Sequence, residues 1–306
     1  MSPYQELLES VIDPDKLPSN WPKGCRVFLK ALFQRCFQKY SDSQKGNPID
    51  HHIEVLRNAI HIAAGADFGQ SQIKCITTAA LVHDIFTPEK KRKGDEASTD
   101  EDVARKYSRA VHMFHSSIHA ADAIAQANEA NFLSPTEIAW VQSMTAIHDN
   151  PSAGVPLPFE EEVLAFREAD RLWMISRPGF IFDLLKDLRK KLTDCAAFLQ
   201  VETGKDQQAT MWTPDSAIWN DFAERERYIE EARQDSHQWK VIQQLAQRRI
   251  DHIAERYKDD GALYPASLQE RLHNGTLFFT ETGYNLYLQK RQETAKHFAL
   301  PCAKGA

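Results

Sequence analysis

Residues 79–86 read AALVHDIF. An apolar run ends on a histidine and an aspartate, His83 and Asp84, and the spacing turns both inward. Ile76, Ala79 and Ala80 precede His83 by seven, four and three residues, so on a helix they share its face. Burying a lone carboxylate is costly, and proteins normally avoid it by pairing the group or placing it on a metal. The pair therefore raises the question of what it meets inside.

Outward from this segment the chain reads as helical nearly throughout. No sustained two-residue alternation occurs, and no Asn-Gly or Asp-Gly hairpin lies between β-branched runs. Ser134-Pro135-Thr136-Glu137 offers an N-cap serine, a proline at the first helical position and a glutamate three residues on. Ser267-Leu268-Gln269-Glu270 repeats the capping-box spacing, and Thr213-Pro214 marks a further start. The pattern predicts helices over 3–12 and 21–41, then a central set over 51–66, 70–86, 100–129, 135–148 and 160–176. A C-terminal set follows over 180–200, 215–233 and 235–258, with shorter helices at 267–273 and 281–297. Within 235–258, Trp239, Ile242, Leu245, Ile250, Ile253 and Tyr257 form an apolar stripe. Two loops stand out, Thr87–Thr99 with its KKRK run and Asn150–Pro158 with three prolines.

The expected class is all-α. Residues 1–44 would form an N-terminal helical segment, 45–200 a helical core, and 201–306 a helical extension packed on it. The 306 residues, 42% of them hydrophobic, are enough for one large domain or a domain with an extension. A net charge of −6 argues against a nucleic-acid polymer as partner. The N-terminus, MSPYQELLESVIDPDK, has no basic and apolar leader pattern, and no apolar run approaches the roughly 18–20 residues that cross a bilayer. The five cysteines are odd in number and lack CxxC spacing. That speaks against a disulfide framework or a zinc-thiolate site and for the reduced cytoplasm.

Eight of the twelve histidines fall between His51 and His148, about twice an even spread. His51 opens a helix whose next inward positions are Val55, Ala59 and Ile62. His115 sits beside Val111 and Ile118. His148 follows Val141 and Met144, and Asp170 follows Val163 and Phe166. A core histidine bonded to a carbonyl explains any one of these. Six such residues on five successive helices point instead to a shared cation. Imidazole with carboxylate suits a divalent ion such as Mn, Fe, Co, Ni or Zn.

The order His51, His83-Asp84, Asp170 resembles the HD superfamily of metal-dependent phosphohydrolases over about residues 45–180. HHIEVLRNA (51–59) resembles the family's first-ligand helix. There the metal histidine precedes Val55 by four and Ala59 by eight, which selects His51 over His52. TTAALVHDIF (77–86) resembles the HD helix, and READRLW (167–173) the family's last motif. The resemblance implies an HD-type helical core with additional C-terminal helices. It implies one or two divalent ions, from Mn, Fe, Co, Ni, Zn or Mg, on His51, His83, Asp84 and Asp170. His115, in HSSIHAADAI, and His148, in AIHDN, fall where some members carry ligands for a second ion; His112 and His119 are the alternatives to His115. The chain departs from the family after the dyad. Ile85-Phe86-Thr87-Pro88 stands where many members have Gly-Lys, leaving Lys90, Lys91, Arg92 and Lys93 as the nearest cations.

The implied reaction is hydrolysis of a small phosphomonoester or phosphodiester, such as a nucleotide, by metal-activated water. Asp84, His115 and His148 would be catalytic. Lys90, Lys93 and Arg109 would bind substrate, and Arg171 would meet phosphate or support Asp170. Two other expectations stand beside it. One is an HD-type di-iron oxygenase that cleaves a C–P or C–C bond, with Tyr40 near its site. The other is a non-catalytic nucleotide-binding HD module.

Overall fold

The computed structural model describes residues 3–17, 19–38, 49–65, 68–85, 101–150, 155, 160–176, 178–188, 222–232, 234, 239–246 and 248–249. Lys90 to Lys93, Tyr40 and both helices expected beyond residue 260 lie outside them. Among the described residues every regular element is helical, and none is a strand. No described helix is long and apolar enough to cross a membrane. The chain divides into two compact units, residues 1–172 and 173–306.

The first unit begins with α1 (Pro3–Val11) and a 3-10 turn at Pro14–Lys16, capped by the Asp13 side chain. α2 (Cys25–Gln38) starts later than the expected residue 21. Pro22 and Gly24 set that start. The Pro22 carbonyl accepts from the Cys25 amide at 3.1 Å, and Gly24 has φ 86°, a left-handed conformation only glycine adopts freely. α3 (Ile49–Gly65) and α4 (Gln70–Val82) follow, then α5 (Glu101–Ala127), α6 (Pro135–Ile147) and α7 (Glu161–Leu172).

α4 is the centre of this unit. It packs against α2, α3, α6 and α7, and α3 packs in turn against α1, α4 and α7. Such a helix must be apolar on every side, and Ile73, Cys75, Ile76 and all residues from Thr77 to Val82 are buried. Its two threonines satisfy themselves by bonding back to the Ile73 and Lys74 carbonyls, each at 2.7 Å. α4 stops at Val82, with His83 as its C-cap, rather than running to residue 86. α6 opens with the expected capping box: Ser134 Oγ accepts from the Glu137 amide at 3.2 Å, and Glu137 Oε2 accepts from the Ser134 amide at 2.8 Å. α5 packs against α2 and α6.

The helix expected over 160–176 ends at Leu172, and the second unit opens with a 3-10 turn at Trp173–Ile175. Residues 178–188 form α8, burying Phe180, Ile181, Phe182, Leu184, Leu185 and Leu188. α9 is Phe222–Ala232, and 239–246 is helical with Ile242 and Leu245 buried. Arg225 is fully buried, its guanidinium 5.6 Å from the Phe182 ring centroid, and Arg249 pairs with Asp183. A Cβ at Gly179 would lie 1.9 Å from the Trp173 carbonyl oxygen, so only glycine fits there.

Candidate metal centre

The described helix ends of the first unit converge on one cluster. His51, in the first turn of α3, brings its Nε2 within 3.0 Å of His83 Nε2. Asp170, in the last turn of α7, places Oδ1 3.2 Å from His83 Nε2 and 3.6 Å from His51 Nε2. Asp84 lies between two groups of histidines. Its Oδ2 is 3.6 Å from both His51 and His83 Nε2, while its Oδ1 is 2.5 Å from His112 Nε2 and 3.3 Å from His148 Nε2. Three overlapping triads of donor atoms result, each within 4.8 Å: His51-His83-Asp84, His83-His148-Asp170 and Asp84-His112-His148.

Position along each helix explains why these side chains can act as donors. His83 and His148 are the C-caps of α4 and α6. At a helix end the last carbonyls have no partner in the helix. His83 Nδ1 donates to the Ala80 carbonyl at 3.0 Å and His148 Nδ1 to that of Thr145 at 2.7 Å. Each bond places a hydrogen on Nδ1 and aims Nε2 at the cluster, an arrangement typical of metal-ligating histidines. Arg167 adds a second support: its Nη1 donates to the His148 carbonyl at 2.5 Å and lies 3.5 Å from Asp149 Oδ1. Asn58 Nδ2 donates to the Ala169 carbonyl at 3.2 Å, fixing α7 just before Asp170.

The cluster is nearly dry. The His83 side chain is fully buried, those of Asp84 and His112 are 10% exposed, and Asp170 is the opening at 21%. Burial alone would raise the Asp84 carboxyl, but His83, His112 and the bonds from His112 and His148 outweigh it and hold Asp84 well below the carboxylate range. Asp170 is likewise held low against burial, chiefly by His83. Burial would lower His83, yet Asp84 and Asp170 lift it above its ordinary value. Two ionised carboxylates thus sit buried among four imidazoles. That donor set, nitrogen and oxygen without thiolate, fits a borderline divalent cation.

The structure corrects one position. His115 is half-buried beside the Phe114 ring and belongs to none of the donor triads; His112, one turn earlier on α5, takes the place expected for it. Val111 and Ile118, which suggested His115, are not core residues, and Ile118 is 44% exposed. The buried stripe of α5 runs instead through Met113, Ser116, Ser117, Ala120 and Ile124. Two serines and an alanine carry little hydrophobic signal, so the sequence pointed to the wrong face.

Arg109, expected at substrate, lies one turn before His112 with its side chain 47% exposed and its Nη1 3.0 Å from Asp149 Oδ2. Arg171 is half-buried beside Asp170. His52, passed over in favour of His51, is buried against Phe37 and bonded to the Leu81 backbone; burial holds it well below the usual histidine range. Asn58, Asp149 and Arg167 were not anticipated. The last carried a readable signal, a charged residue three positions before an inward aspartate.

No protein-family model, no curated protein and no solved structure matches the chain. The fold and the cluster therefore define the protein by themselves: an all-α chain with a buried histidine–aspartate group able to hold a metal ion.

Proposed function

We propose that this chain is a metal-dependent phosphohydrolase of the HD type, acting on a small phosphomonoester or phosphodiester such as a nucleotide, in the cytoplasm. One observation carries the reading: Asp84 turns Oδ2 toward His51 and His83 and Oδ1 toward His112 and His148, so one carboxylate serves two sets of donors. His51, His83, Asp84 and Asp170 are the positions the HD resemblance selects, and they meet here. Divalent ions held by these side chains would supply an activated water near neutral pH and polarise a phosphoryl oxygen.

The chain's own groups do the rest. His83 and His148 present Nε2 with their tautomers fixed from behind. Asp84 joins the two donor sets. Arg109, half-exposed and held by Asp149, offers a guanidinium to phosphate oxygens, a group suited to bidentate contact. Lys90 and Lys93 remain proposed substrate contacts from the sequence.

The test is a panel of phosphomonoesters and phosphodiesters, nucleotides included, assayed with Mn, Co, Ni, Mg and Zn. We expect turnover with at least one metal, and its loss in Asp84→Ala with an unchanged helical circular dichroism spectrum. Wild-type turnover in that variant contradicts the mechanism. The set of four histidines and two aspartates also favours a second reading, a di-iron oxygenase. Stoichiometric iron in protein purified without added metal, with no phosphoester turnover, would select it.

A further inference from the structure

Two arginines share one carboxylate beside the cluster. Asp149 follows the donor His148 in sequence and is buried. Its Oδ1 lies 3.5 Å from Arg167 Nη1 and its Oδ2 3.0 Å from Arg109 Nη1. α5 and α7 hold this carboxylate in place. The buried Arg167, on α7, also donates to the His148 carbonyl, and the Asp149 amide donates to Met113 Sδ on α5 at 3.2 Å. Arg109 differs from Arg167. It stands three residues before His112 on α5, so the two side chains start about 5–6 Å apart. It is half-exposed, and Asp149 is its only partner among the described residues. That pair uses Nη1, so the edge formed by Nε and Nη2 is left open.

One arginine would balance the Asp149 charge. The second leaves a surplus positive charge beside a group of donors suited to cations. An anion bound there would neutralise that surplus, and the open edge of a guanidinium matches two oxygens of a phosphate.

We infer that Asp149 is a positioning residue: fixed from behind by Arg167, it holds Arg109 so that the open guanidinium edge receives the substrate phosphate beside the cluster. This rests on the phosphoester reading and adds to it the anchor behind Arg109. A long side chain held in advance gives up less rotamer freedom when the anion arrives.

The sign of one substitution separates this role from plain electrostatics. If Asp149 acted through its charge alone, Asp149→Asn would remove a negative neighbour and tighten anion binding. If it positions Arg109, the same change releases the guanidinium and weakens anion binding.

The experiment is a calorimetric titration of the Mn(II)-loaded full chain with inorganic phosphate, in wild type, Arg109→Ala, Asp149→Asn and the double variant. Arg109→Ala should raise the dissociation constant about 10–100-fold, the loss of a charge-assisted bond. Asp149→Asn should raise it by less, and should add nothing further in the Arg109→Ala background. Metal content and circular dichroism check each chain. Should Asp149→Asn not fold, Asp149→Glu takes its place: it keeps the charge, shifts the anchor by one methylene and should weaken binding only while Arg109 is present. Four results overturn the inference: no phosphate binding by wild type, wild-type binding by Arg109→Ala, tighter binding by Asp149→Asn, or an Asp149 effect that persists undiminished without Arg109. Its failure is separable from that of the hydrolase reading. Phosphoester turnover with additive losses sinks only this inference, and the expected cycle without turnover sinks only the hydrolase.

Discussion

Asn58 reaches across 111 residues of sequence to donate its side-chain amide to the carbonyl of Ala169, at 3.2 Å. The bond is buried and joins α3, which carries His51, to the turn of α7 that carries Asp170. Asn58→Ala leaves that carbonyl without its partner. The expected cost is about 1–3 kcal/mol of stability, read by urea unfolding of the metal-free protein. The same change frees Asp170 from its register, so metal affinity should fall about 10–100-fold. Unchanged stability and unchanged affinity together would remove Asn58 from the support of the site.

Metal affinity should depend on pH in a defined direction. The carboxylates of Asp84 and Asp170 lift His83 above its ordinary value of 6.5 against the effect of burial. A proton on His83 Nε2 competes with the cation, since ligating imidazole must be neutral. Affinity should therefore still be climbing as pH rises past 6.5. In the metal-free protein the sign for folding is the reverse. The group is charged and paired in the folded state, so its contribution is fully present below 6.5 and is lost as pH rises through the lifted value. Metal titrations and thermal melts from about one unit below to about two units above a histidine's ordinary value check both slopes.

Cys25 and Cys36 report on the integrity of the first unit. Burial pushes both thiols up to about 12, and both are free and buried. Neither should react with a thiol reagent in the native protein at pH 8; both should react on unfolding. Their shift also has a consequence for folding. The unfolded thiols ionise near 9.0 and the folded ones do not, so stability should fall as pH rises through that range toward 12. Rapid labelling of either cysteine in the folded protein would show that α2 is not packed as described.

The central helix was the most readable part of the chain. From Cys75 to Val82 α4 is buried on every side, and a polar pair at the end of such a helix has nowhere to go but inward. His148 and Asp170 were readable for the same reason, since Val141, Met144, Val163 and Phe166 mark their faces and all four are buried. His112 was readable only as an alternative to His115, because next to Met113 and Ile124 the buried stripe of its helix is made of Ser116, Ser117 and Ala120, which carry little hydrophobic signal. The helix limits at Cys25 and Leu172 were missed for a different reason. A glycine turn sets the first, and a 3-10 turn at Trp173–Ile175 follows the second; neither leaves a mark on the hydrophobic period. The supports behind the ligands depend on contacts between distant segments, Asn58 with Ala169 and Arg167 with His148, which no spacing along one helix reveals.

The central claim is that these buried histidines and aspartates hold a cation. Metal content per chain, measured by elemental analysis on freshly purified protein and on protein dialysed against excess divalent ion, tests it most directly. The account predicts at least one tightly held divalent ion per wild-type chain and none in Asp84→Ala, with both proteins equally helical. A wild-type chain that retains no metal after loading, or an Asp84→Ala chain that retains as much as wild type, would contradict it.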